Sequence, residues 1–449
     1  MTEKTNRVSL AEKQALLKRA LESRKSSLAV APEGSAAPVS RARDQVPESF
    51  YKIEEFPRYR QMQLHRELAN RIGLESPFFA VHEGVGRDTT IIGGREFLNF
   101  STYSYLGLNG DPRVNRAAIE AAEKYGTSAS SSRIVGGERP PHHALERALA
   151  DLHGAEDAVT FVSGYLANVA LISTLVGPRD AVILDRLVHN SIVQGAKLSG
   201  GAVHTFPHND WRALDTTLKT MRHRYERVLI VVEGIYSMDG DVCPLDHLVE
   251  VKNRHRALLM IDEAHSVGVI GRTGRGVGEH FGIPASAVDV WMGTLSKTFA
   301  GCGGYAAGSR ALIELLKYTA PGFVFSAGMP PPVAAACTEA IRIMLEEPWR
   351  VAQLHANGQF FVRFAQENGL NTGLSDGYNI VPVIVGGSVL SGRLAAALMH
   401  RGVQVPPMVY PSVEEGSARL RFFLSSDHTE AQLRAAIERT SQELATLSP

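Results

Sequence analysis

Lys297 lies in WMGTLSKTFAGCGGY, a lysine set between small hydroxyl and glycine residues directly after a short apolar run. A solvated surface lysine is out of place there, and a Schiff-base lysine suits it. A structural ion-pair lysine suits it equally, so other segments must decide. In LLMIDEAHSVG, Asp262 closes a second apolar run and His265 follows three residues later, so both side chains can project from one edge into one crevice. Pyridoxal phosphate gives that pairing a reason. A carboxylate facing the pyridine nitrogen keeps it protonated, which lets the ring accept the electron pair released from a substrate's α-carbon. His265 could then hydrogen-bond the ring's phenolic oxygen. The letters DEAH also occur in nucleotide-driven helicases, but those need a G-x-x-x-x-G-K-[ST] loop. Here TLSKT has Ser296 and Trp291 at the two glycine positions.

A third segment, ILDRLVHNSIVQG, offers His189 just past another apolar run. A lone histidine is more often structural. At a strand end in the same crevice, however, an imidazole could stack on the cofactor ring and serve in orientation and proton transfer. For the phosphate, FVSGYLANVALI reads as strand, glycine turn and helix, presenting the amides of Gly164 and Tyr165 at a helix N-terminus. Thr294 and Ser296 add hydroxyl groups beside the lysine, and Ser326 in FVFSAGMPPP is a further candidate, reaching across a subunit interface. Glu233 and Ser237 in VVEGIYSMDGD complete the lining, although SMDGD also reads simply as a turn. ARLRFFLSSDH puts Arg419 and Arg421 on one face of a predicted strand. An amino-acid substrate needs its carboxylate held by such a fork, and the strand alone does not say which arginine does so. None of these segments has metal-ligand spacing, so no metal is expected.

The elements that must carry these groups follow a regular pattern. AVTFV, AVILD, VLIVVEG, ALLMID, VDVWMG and GGYAAG are short apolar runs, each followed by a polar cluster and then a helical stretch. Runs covered on both faces predict an α/β architecture with a largely parallel sheet, whose chemistry gathers at the carboxyl ends of the strands. From about Ser326 onward, helical patterns alternate with IVPVIVG and ARLRFFL, predicting a smaller α+β domain. The expected division is a helix and flexible linker over 1–49, with the helix over Leu10 to Leu28, and a segment over 50–110 that packs on the small domain and on a partner subunit. The large domain then spans 111–325 and the small C-terminal domain 326–449. Lys plus Arg equals Asp plus Glu at 47 each, which argues against nucleic acid as a partner. Three scattered cysteines argue against a disulfide framework and fit a reducing cytoplasm. The N-terminus is charged from its third residue, with no apolar run for a signal peptide or membrane span.

With SGYLAN, DRLVHNSI, EGIYSMDGD, DEAHSVG, GTLSKTFAGCGGY and ARLRFFLSSDHT in order along one chain, the sequence resembles the α-oxoamine synthase family of fold-type I pyridoxal-phosphate enzymes over about residues 50 to 445. In motif style it is similar to serine palmitoyltransferase and polyketide-associated synthases. The resemblance implies that Lys297 carries the cofactor, Asp262 pairs the pyridinium, His189 stacks on the ring, and His265, Ser237 and Thr294 bind the cofactor. It implies that Arg421 takes the substrate carboxylate, and that two copies form a homodimer with active sites at the subunit interface. The reaction implied joins glycine, alanine or serine to an acyl thioester with loss of carbon dioxide, giving an α-amino ketone. Lys297 would be the base and His189 would polarise the incoming carbonyl. Two departures bear on substrate. Tyr103 in NFSTYSYLG stands where 8-amino-7-oxononanoate synthases usually carry asparagine, and Ala327 replaces a hydroxyl residue beside Ser326. The long N-terminal segment resembles the docking segments of assembly-line synthases, so a carrier-protein thioester stands beside acyl-coenzyme A. An aminotransferase or lyase of the same fold would share Lys297 and Asp262 but usually stacks an aromatic ring on the cofactor. A cofactor-free pseudoenzyme subunit would not need Lys297, Asp262, His189 and His265 together.

Overall fold

A computed structural model describes residues 46–71 and 78–447. Residue contacts divide the chain after Ile72. In the first unit, two short 3-10 turns precede a helix, Pro57–Arg71. The helix expected over Leu10 to Leu28 lies outside the described residues.

In the second unit, seven strands form the central sheet: β3 (Asp157–Phe161), β4 (Ala181–Asp185), β5 (Ala202–Phe206), β6 (Val228–Glu233), β7 (Leu258–Asp262), β8 (Val290–Thr294) and β9 (Gly304–Gly308). Their order is β3-β9-β8-β7-β6-β4-β5. Every residue of AVILD in β4 and of VLIVVE in β6 is buried. Such runs cannot face water on either side, which is why they lie in a sheet layered between helices. Pairing is parallel from β8 through β7, β6 and β4 to β5, whereas β9 is antiparallel to both β3 and β8. Two expectations need correction. β5 was absent from the predicted strands because His204 and Thr205 interrupt the apolar run in AVHTF, as an edge strand paired on one side only allows. No helix separates β8 from β9; the chain turns straight back through the Lys297 loop, since antiparallel neighbours need no crossover.

Two smaller sheets join distant parts of the chain. β1 (Thr89–Ile92) and β2 (Arg95–Asn99) form a hairpin, and β2 continues in parallel to β11 (Val403–Gln404). β10 (Ile380–Gly386) pairs antiparallel with β13 (Ala418–Phe423), whose other edge takes β12 (Pro407–Met408). Phe100 welds the two sheets together. Its amide donates to Gln404 O at 2.8 Å and its carbonyl accepts from Phe423 N at 3.1 Å. Its ring stacks on His428 at 4.5 Å and meets Phe422 edge-on at 5.2 Å. Among the described residues, no helix is long and apolar enough to cross a membrane.

Phe100 is fully buried, so its truncation leaves a cavity where two sheets meet. Phe100→Ala is expected to cost about 3–5 kcal/mol, read as a lowered thermal unfolding midpoint against wild type.

Candidate active site

The carboxyl ends of β3, β4, β6, β7 and β8 form one rim, and the polar clusters of the sequence lie along it. After β8 the chain forms a tight loop: Leu295 N donates to Gly303 O and Gly301 N to Leu295 O, both at 2.9 Å. Ala300 takes a left-handed conformation, φ +53°, that non-glycine residues rarely adopt. Close packing fixes the loop. A Cβ on Gly301 would fall 2.2 Å from Cys337 Sγ, and one on Gly304 would fall 2.6 Å from Gly164 Cα. Thr298 Oγ1 donates to Val267 O at 2.9 Å, tying the lysine loop to the DEAHSVG loop.

Lys297 Nζ lies 2.8 Å from His265 Nε2, and His265 Nδ1 lies 2.8 Å from the Tyr105 hydroxyl. Burial drops the Lys297 amine to about 8, with the Asp262 and Glu233 carboxylates opposing that shift and Arg421 adding to it. Burial also holds His265 well below the usual imidazole range, assisted by Lys297 and Arg421, and pushes the Tyr105 phenol up. Tyr103 covers this pair from one side. Its ring centroid is 5.6 Å from Lys297 Nζ, and it packs edge-on against Phe423 at 4.7 Å.

Asp262 ends β7 and is buried, with Oδ1 accepting from Ala264 N at 2.9 Å and Oδ2 from Asn168 Nδ2 at 2.8 Å. His189 is the N-cap of the helix Asn190–Leu198. Its backbone amide donates to Glu233 Oε1 at 2.5 Å, and Glu233 Oε2 accepts from Ser237 N at 3.1 Å. Burial, reinforced by Asp262, raises the Glu233 carboxyl to about 8. The helix Gly164–Leu175 starts at Ser163, whose hydroxyl accepts from Leu166 N at 3.0 Å. The amides of Gly164 and Tyr165 therefore open the helix without intrahelical acceptors. Thr294 closes that corner: a Cβ on Gly164 would lie 3.0 Å from its Oγ1. Thr294 Oγ1 donates to Gly303 O at 2.9 Å, and Ser296 N donates to Thr294 Oγ1 at 3.2 Å.

The two arginines of β13 are used differently. Arg419 Nη1 pairs with Asp239 Oδ1 at 2.6 Å and is consumed by it. Arg421 Nη1 donates to Ser237 O at 2.8 Å, its guanidinium lies 4.5 Å from the Phe423 ring centroid, and its buried Nε has no partner. No carboxylate pairs with Arg421 among the described residues, which leaves a buried cation suited to an anionic ligand. The buried Asn168 Oδ1 and Asn379 Oδ1 are also without partners.

A charged clamp stands behind His189. His208 Nδ1 meets Asp185 Oδ1 at 2.9 Å and Nε2 meets Asp241 Oδ2 at 2.8 Å. Asp185 Oδ1 also accepts from Leu187 N at 2.8 Å, shaping the turn that leads into His189. Two carboxylates on opposite ring nitrogens require an imidazolium. Although burial opposes the charge, the hydrogen bonds to Asp185 and Asp241 raise this histidine to about 10.

Lys297, His265, Asp262, Glu233, His189, Ser237, Arg421 and Tyr103 are thus linked by direct contacts or by mutual electrostatic interaction, with Gly164 and Thr294 at one corner. Tyr165 is half-exposed beside Asn190, and Ser296 is exposed with its hydroxyl turned to Gly303. Ser326 touches none of these groups within the chain; it follows the short helix Pro321–Val324, which packs on the Gly164 helix. Sequence reasoning missed Tyr105, Asn168, Ser191, Asn379 and His208. The pattern Y-S-Y in STYSYLG puts Tyr103 and Tyr105 on one side of an extended chain, a usable signal, whereas an asparagine within GYLANVALI carries none.

The family model for aminotransferase class I and II matches residues 95–439. An 8-amino-7-oxononanoate synthase from Symbiobacterium thermophilum is 41% identical over 387 residues, covering 86% of this chain and 95% of its own. Another, from Cellvibrio japonicus, is 40% identical over 349 residues, 78% of this chain and 87% of its own. Among solved structures, Sphingomonas wittichii serine palmitoyltransferase superposes with a TM-score of 0.83 at 30% identity, covering 87% of this chain and 98% of that one. A lysine-to-alanine variant of serine palmitoyltransferase from S. paucimobilis with a bound PLP–myriocin aldimine gives the same TM-score of 0.83, identity of 30% and coverage of 87% and 98%.

The depressed Lys297 pKa predicts that an amine-reactive reagent labels Lys297 in cofactor-free protein with a rate that inflects near pH 8, well below the value near 10.4 of an ordinary lysine. Peptide mapping after pulse labelling measures it. The clamp makes a separate prediction. His208 is raised in the folded state, so its contribution to stability is full below the ordinary value of 6.5 and is lost as pH rises through about 10. His208→Gln is expected to flatten the fall in thermal midpoint between those limits, measured by unfolding at a series of pH values.

Proposed function

The chain belongs to the α-oxoamine synthases of the aminotransferase class I and II family, and from that premise we propose how its residues divide the work. The protein is a pyridoxal-phosphate enzyme that condenses an amino acid with an acyl thioester and releases carbon dioxide. When bound, the cofactor supplies an electron sink for the pair left at the substrate's α-carbon. The residues fit it: a buried carboxylate at a strand end, a lysine of lowered pKa within reach of that carboxylate's field, and a glycine turn at a helix N-terminus. Lys297 would hold it covalently, Asp262 would face its pyridine nitrogen, and the amides of Gly164 and Tyr165 with Thr294 and Ser296 would receive its phosphate. Ser326 would serve that phosphate only from a second copy, which accords with a homodimer.

The observation that carries this reading is the 2.8 Å contact between Lys297 Nζ and His265 Nε2, inside a pocket that brings the amine to about 8. An amine near neutrality can take and return a proton at the α-carbon under working conditions. Arg421 holds the substrate carboxylate through its unpartnered Nε, while Glu233, by fixing the amides of His189 and Ser237, sets the imidazole on one side and the arginine on the other. Tyr103 narrows the space beside the amine, which suits a small amino acid: glycine, alanine or serine. The acyl donor is a coenzyme A or carrier-protein thioester, and the setting is the cytoplasm.

Arg421→Ala is expected to raise KM for the amino acid about a hundredfold, as loss of a buried charge partner implies, while Arg419→Ala leaves it near wild type. Carbon dioxide release with each small amino acid and each thioester type measures this. An unchanged KM in Arg421→Ala would remove the carboxylate assignment.

A further inference from the structure

His189 is joined to Asp262 by a chain of hydrogen bonds with a donor-only group at each end, the Asn168 amide nitrogen and the Ser191 backbone N–H. Asn168 Nδ2 is a donor only, and its two hydrogens go to Asp262 Oδ2 at 2.8 Å and to Ser191 Oγ at 2.9 Å. The opposite amide orientation would set Asn168 Oδ1 against the carboxylate, so the Asp262 side chain fixes which way the amide faces. Ser191 Oγ accepts from Asn168, and its single hydrogen is available to His189 Nδ1, 2.7 Å away. The Ser191 backbone N–H also donates to His189 Nδ1, at 3.3 Å. Ser191 and Asn168 are both buried, so water does not compete for these groups. A ring nitrogen that accepts from two donors carries its lone pair, and the proton of a neutral imidazole must then sit on the other nitrogen.

We propose that Asn168 and Ser191 are positioning residues that hold His189 as the neutral imidazole protonated on Nε2. The ring thereby presents a hydrogen-bond donor, never an acceptor, to the reacting groups. Nε2 has no partner among the described residues, and His189 is exposed. The charged groups facing His189 are Asp262, Lys297 and Arg421, with Glu233 on its backbone amide. Desolvation lowers the imidazole pKa; Asp262 opposes that shift, and Lys297 and Arg421 add to it. A fixed donor can polarise the carbonyl of an incoming thioester without first losing or gaining a proton. The inference rests on His189 facing the substrate, but the protonation pattern itself can be read without turnover.

The test is two-bond proton–nitrogen correlation on the full-length, cofactor-loaded protein labelled with 15N-histidine, with the His189 signals assigned by their loss in His189→Asn. The expected pattern at neutral pH is the Nε2–H tautomer. An Nδ1–H tautomer or an imidazolium would overturn the proposal whatever the activity, and this wild-type spectrum decides even if a variant fails to fold. Ser191→Ala is expected to populate the Nδ1–H form and to raise the His189 pKa by about 0.5–1 pH unit, the worth of one lost hydrogen bond. Ser191→Thr, which keeps the hydroxyl, restores the wild-type pattern. A folded Ser191→Ala protein with an unchanged His189 spectrum also overturns it. If Arg421→Ala left KM unchanged, the carboxylate assignment would fail while these spectra stayed as expected, so the two readings fail separately.

Discussion

Everything in the site depends on holding an amine, a buried imidazole and two buried carboxylates close together beneath the half-open imidazole of His189. Any one of them buried alone would cost several kcal/mol. Together they moderate one another: Asp262 and Glu233 oppose the desolvation that lowers Lys297, while burial, Lys297 and Arg421 keep His189 and His265 from taking up protons against the pull of Asp262 on His189. The balance is achieved by geometry, because each group sits at the end of a buried strand or on the loop that follows it. The sheet supplies rigid origins, and the loops supply reach.

The reacting groups were legible because each breaks a strong local pattern. A lysine among glycines and hydroxyls, or an acid closing an apolar run, is conspicuous in a sequence that otherwise alternates buried strands and amphipathic helices. The groups that orient them were not legible. Asn168 sits in a helix that is apolar on most sides, and Ser191 and His208 are ordinary polar residues near helix starts and turns. Their roles arise from contacts between residues 23 to 94 positions apart, visible only once the strands are side by side. The same limit hid the β2 to β11 pairing, which joins residue 98 to residue 403. It did not hide β10 and β13, whose apolar runs are long enough to be read alone.

The paired arginines show how much context a single residue type needs. Sequence spacing put Arg419 and Arg421 on one face, and the family resemblance favoured the second. What separates them physically is Asp239, which neutralises Arg419 from the turn after β6, while the carbonyl of Ser237 holds Arg421 without cancelling its charge. The segment SMDGD is thus both a turn and the element that sorts the two cations.

The lysine loop is built as a hairpin with no slack, where the Cys337 side chain already occupies the space beside Gly301 and the main chain of Ser163 and Gly164 that beside Gly304. In a saturation survey of single-residue changes, these two positions would be depleted as severely as Lys297, though neither bears a functional group. Read from such a survey alone, the enzyme would seem to have a second reactive centre. What it has instead is a stretch of main chain where the absence of a side chain is the selected property.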